Sequence, residues 1–238
     1  MTRIWLSRFT AACGLLYVII ALVASGSGDD NAPTANSSGQ AIAVYAATHQ
    51  AGPFAGLGEM VALLLLAVFV VALYTALSRR ESGKEAAVVV LVGGVLTVAI
   101  KLGSFPAFFA LYSAGQATDP AVARAMMQMN GYAFEITLFT QALLLSAVAI
   151  GGLVSGAIPR WLAATAGVLA VALVVSAPVF AAKGFNPIEL FWLAWVVVAS
   201  VTLTIRRTAA GRLLPDQDLG GLDDHGDLVA GLELQPLE

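Results

Sequence analysis

The chain has 238 residues, of which 59% are hydrophobic and only 11% charged, against roughly 25% charged in an ordinary soluble domain. That balance argues against a large soluble core and points to lipid. The residues that carry it, Ala, Val, Leu and Gly, suit lipid-facing surface and close helix contact. A net charge of −3, without a basic face or stripe, argues against a nucleic-acid partner.

A helix crossing the hydrocarbon core needs about 20 apolar residues, and six such runs stand between polar breaks: 9–25, 54–77, 86–112, 131–158, 161–182 and 187–205. The expected fold is therefore all-α, a polytopic membrane bundle of about six transmembrane helices over residues 1–208. An acidic tail follows over 209–238. The first run, with Arg3 and Arg8 before it and Ala24-Ser25-Gly26 after it, has the layout of a signal peptide. Retention as an uncleaved helix is the expectation, because the rest of the chain is multi-pass. Cys13, inside this run and without a second cysteine in the chain, reads as a small buried hydrophobe.

Between the first two runs, residues 27–36 are rich in Gly, Ser, Asp and Asn and read as flexible. Gln40 to Gln50 places Ile42, Tyr45 and His49 on one helical face. Between the third and fourth runs, Asp119-Pro120 forms a helix start, with Asp as N-cap and Pro at the first helical position. A separate short helix from Ala121 to about Met129 is expected, lying with the earlier one on the outer membrane surface and partly covering the bundle. Ile158-Pro159-Arg160 leaves room only for a tight hairpin between antiparallel helices. From Asp216 onward there are seven acidic residues and no Lys or Arg, so the tail is expected to stay disordered. Leu219, Leu222, Leu228, Leu232 and Leu234 within it form a candidate docking segment for a protein partner.

Orientation follows from the excess of Lys and Arg in short cytoplasmic loops. Six spans put Arg3, Arg8, Arg79, Arg80, Lys84, Arg160, Arg206, Arg207 and Arg212 on one side, and only Arg124 and Lys183 on the other. The expected location is the plasma (inner) membrane, with both termini cytoplasmic.

Four ionisable residues fall within spans: Glu59, Lys101, Glu135 and Glu189. Each costs at least about 2.5 kcal/mol at a helix centre unless it finds a partner or water. Counted at 1.5 Å per residue, all four lie in the same leaflet, so Lys101 is within reach of Glu59, Glu135 or both. Gly94, Thr97, Lys101 and Ser104 share one helix face. Thr137, Gln141, Gly152 and Ser155 form a similar stripe on the fourth span, with Glu135 about 200° around from Thr137. The cluster reads either as a packing ion pair or as an outward-facing polar pocket whose surplus carboxylate holds a proton or cation. Pro106 and Pro178 are expected as ordinary membrane-helix prolines. Gly152 and Gly156 have the spacing of a close helix contact.

Neither a His-Glu-x-x-His motif nor a Gly-x-Ser-x-Gly elbow is present. His49 and His225 fall on opposite sides of the membrane, and Met126, Met127 and Met129 read as apolar anchors. No catalytic residue, cofactor or metal is expected.

Arg8-Phe9-Thr10-Ala11-Ala12-Cys13-Gly14-Leu15-Leu16-Tyr17, the polar outer loop after it, Glu59 and Lys101 resemble uncharacterised six-helix membrane proteins of GC-rich bacteria, assigned to domain-of-unknown-function families. The resemblance covers residues 5–206 and implies the fold without an activity. Two functional readings stay open. One is a small transporter or ligand-binding membrane subunit. The other is a non-catalytic sensor, anchor or accessory protein that recruits a partner, or a second copy, through its tail or outer loops.

Overall fold

The computed structural model describes residues 2–26, 32–34, 36–49, 52–114, 118–183 and 187–212. The acidic tail with its leucine segment, and most of the stretch read as flexible after the first run, lie outside these. Seven α-helices follow in chain order: α1 (Thr2–Gly26), α2 (Gly39–Thr48), α3 (Gly52–Ser78), α4 (Lys84–Ala114), α5 (Pro120–Ser155), α6 (Arg160–Lys183) and α7 (Ile188–Arg212). No strand occurs among the described residues. A 3-10 turn at Glu81–Gly83 joins α3 to α4.

Five of these helices, α3 to α7, are long and apolar enough to cross a bilayer, and α1 carries a shorter apolar stretch, Phe9–Ala24. The outer surface agrees with that length. Val95, Val168, Val171, Val175, Phe191 and Ile205 all point away from the protein, exposed, an arrangement stable only where the surroundings are as apolar as the side chains.

The helix packing follows chain order, with one closure. α3 packs on α4, α4 on α5 and α5 on α6, while α1 inserts between α3 and α7. Small residues set how close the helices come. At Gly93 a Cβ would lie 2.9 Å from the Leu144 backbone nitrogen, so α4 and α5 touch backbone to backbone, a contact open only to glycine. The expected Gly152–Gly156 pair splits into two jobs. Gly152 packs against Ala163 of α6, whereas Gly156 ends α5 at φ 64°, its N–H donating to the Gly152 carbonyl. Only glycine takes that left-handed position without strain. The hairpin expected at Ile158-Pro159-Arg160 is thus made by Gly156 to Pro159, and Ile158 is buried in it.

The main departure from the sequence reading is at α5. The separate outer helix expected over Ala121 to Met129 and the fourth span are one helix of 36 residues, about 54 Å long at 1.5 Å per residue. Asp119 caps it as expected, its carboxylate accepting from the N–H groups of Ala121 and Val122 at 2.8 and 3.4 Å. Nothing stops the helix at Asn130-Gly131, because Asn130 is held by bonds to α4 described below. α2 forms where the Ile42 pattern placed it, capped by Ser38. It does not lie apart: Ile42, Ala43 and Ala46 bury against Leu111 of α4 and Ala123 of α5 in a second apolar cluster. α7 runs on to Arg212, beyond the expected end at 205. Pro106 and Pro178 sit inside continuous helices, as ordinary membrane prolines do.

Candidate functional site

A cavity of about 190 Å³ lies inside the bundle, lined from α1, α3, α4, α5 and α7, among others by Tyr17, Glu59, Lys101, Phe134, Gln141 and Glu189. Among the described residues none of α6 lines its wall, and α6 packs against α5 and α7.

Lys101 is the most buried charge among the described residues, 2% exposed. An ammonium so placed must replace its lost hydration with protein groups. Its Nζ lies 3.4 Å from the Glu59 carboxylate and donates to Asn130 Oδ1 at 3.2 Å. It also stands over the Phe134 ring, 2.7 Å from the centroid, where the negative face of the ring attracts a cation. Asn130 Oδ1 also accepts from Ser104 Oγ at 3.0 Å, so one amide fixes the α4–α5 register at this level. Two turns away, the Thr97 and Thr140 hydroxyls bond at 2.7 Å.

Glu189 occupies the first turn of α7, where the free N–H groups of a helix start favour a carboxylate. It lines the same cavity as Gln141, and among the described residues its carboxylate makes no ion pair within 4 Å. Gln141 is 6% exposed, and its Oε1 is buried without a hydrogen-bond partner. On the α1 side, Trp192 Nε1 donates to the Tyr17 hydroxyl at 3.4 Å. The cavity therefore holds one cation, two carboxylates and one unmatched acceptor. No family of known proteins, no curated protein and no solved structure matches the chain.

Of the four ionisable residues singled out from the sequence, the structure brings three together. Glu59 pairs with Lys101, and Glu189 shares their cavity. Glu135 does not join them. It is half-buried, absent from the cavity wall, and turned away because its neighbour Phe134 takes the inward position, one residue being 100° of helix. The partners that sequence reasoning missed are Asn130, Phe134, Tyr17 and Trp192. The first two were within reach of it: Asn130, Phe134, Thr137 and Gln141 follow at spacings of four, three and four, the signature of a single helix face.

Proposed function

We propose that the chain is a polytopic protein of the bacterial plasma membrane, with α1 and α3 to α7 as six spans and both termini cytoplasmic. It acts as a small carrier or binding subunit that takes a solute into the central cavity. The observation that carries this reading is the cavity itself. A packing ion pair needs Lys101, one carboxylate and close walls; here a second carboxylate, Glu189, lines about 190 Å³ of open space, and Gln141 of the same wall keeps a buried amide oxygen without a donor. Buried polar groups are ordinarily satisfied, and empty cavities are ordinarily apolar, so a polar one is built to be filled. Retention of α1 is supported by its place in the wall: Tyr17 reaches the cavity, and Ala11, Cys13 and Val18 are buried in the bundle.

The test is access to the cavity. In a Cys13→Ala background, Thr137→Cys and Thr97→Cys place a thiol at positions buried within the bundle, and Val95→Cys places one on the outer surface. The first two are expected to react with a small, charged methanethiosulfonate reagent in membranes at least about ten times faster than Val95→Cys, since thiolate formation needs water. Equal, slow reaction at all three would mean a closed ion-pair core and would sink the carrier reading.

A further inference from the structure

The polar groups of the cavity divide into two sets. Lys101, Glu59, Asn130 and Phe134 satisfy one another. Glu189 and Gln141 do not reach that closure: among the described residues the Glu189 carboxylate has no ion pair within 4 Å, and Gln141 Oε1 has no donor. An orphan acceptor and a carboxylate that is not ion-paired, on two residues that line one cavity, ask for a positively charged hydrogen-bond donor. Tyr17, Thr97 and Thr137 also line it, with their hydroxyls already bonded to Trp192, the Gly93 carbonyl and the Phe134 carbonyl, and Ala21, Leu63, Leu66 and Leu193 form its apolar part.

We infer that the cavity binds a small primary ammonium compound, its head group between Glu189 and Gln141 Oε1 and its short alkyl part against Leu63, Leu66 and Leu193. The inference rests on the accessible-cavity reading above and adds the class of ligand. A volume of about 190 Å³ corresponds to roughly six waters at ~30 Å³ each, which is room for a few heavy atoms and no more. Divalent metal is disfavoured by the Lys101 ammonium in the same cavity. A bare monovalent ion leaves the leucine wall unused, and pockets for organic ligands combine such a wall with a few convergent polar groups.

The experiment uses the full chain in lipid nanodiscs, carrying Cys13→Ala and Thr137→Cys, and follows the rate of thiol labelling. Ethylammonium chloride is expected to slow labelling saturably, by more than about fivefold, while equal concentrations of sodium chloride and of neutral acetamide leave the rate unchanged. Adding Gln141→Met is expected to abolish the protection. Gln141→Glu, which keeps an acceptor and adds charge, is expected to lower the half-protecting concentration by at least about fivefold. Labelling without protection by ethylammonium, or with equal protection by sodium chloride or acetamide, overturns the ligand class and leaves the carrier reading standing. Absence of labelling overturns both.

Discussion

Lys101 and Glu59 form an ion pair whose two ends are not equivalent. The lysine side chain is 3% exposed and the glutamate side chain 33%, so the same pair has one buried end and one partly exposed end. Removing the charge of Glu59 strands a buried ammonium, the expensive direction, whereas removing Lys101 leaves a carboxylate already in contact with its surroundings. Glu59→Gln is therefore expected to lower the melting temperature in detergent more than Lys101→Met does. The double variant should fall less than Glu59→Gln alone, because the stranded charge is gone. If Lys101→Met proved the more damaging, packing of the lysine stem would outweigh its charge. At this scale the sequence was informative for the charges themselves, since an ionisable residue in an apolar run is conspicuous. It was uninformative about their neutral partners. Placing the start of the fourth span at Gly131 put Asn130 in an outer loop, and an aromatic such as Phe134 carries no sign in an apolar run that it faces a cation.

The helices owe their spacing to individual small residues, and two glycines of α4 show opposite consequences of the same change. At Gly93 the added methyl of alanine meets the Leu144 backbone at 2.9 Å, whereas at Gly103 it meets nothing within 4 Å. Gly93→Ala must push α4 from α5, and overpacking of this kind costs about 1–3 kcal/mol. Gly103→Ala restricts the unfolded chain without a clash and should stabilise by about 0.4–1 kcal/mol. Reversible unfolding in mixed micelles measures both, and loss of stability at both positions would show that the surroundings of Gly103 are filled in the folded protein. Spans, caps and the α5–α6 hairpin were legible in the sequence because they depend on local chemistry: apolar length, Asp119 before Pro120, Pro159 after Gly156. The continuity of α5 was not. Asn130-Gly131 is a poor helix pair locally, and what holds it helical is tertiary, the bonds from Lys101 and Ser104 to the Asn130 side chain.

For the molecule as a whole, the two ends of the bundle are built differently. Arg79, Arg80 and Arg206 gather around one cleft at the end where α3 and α5 stop, and Arg206 donates to the Ala157 carbonyl at 3.4 Å. The other end carries α2, packed on the far ends of α4 and α5, and at 54 Å or so α5 exceeds a hydrocarbon layer of about 30 Å by several turns. A bilayer around the exposed valines and leucines therefore leaves α2 and the start of α5 in water at one surface, with the arginine cleft at the other. In the orientation proposed above, with the arginine-rich end cytoplasmic, α2 faces outward. Asn36 and Glu81, both exposed, report on the two ends. In a Cys13→Ala background, Asn36→Cys is expected to react with an impermeant maleimide on intact cells, and Glu81→Cys only after the cells are permeabilised. The reversed pattern would invert the orientation. Reaction of both on intact cells would put the two ends on the same side, which no arrangement with α3 crossing the bilayer allows, and would overturn the spanning role of α3 itself.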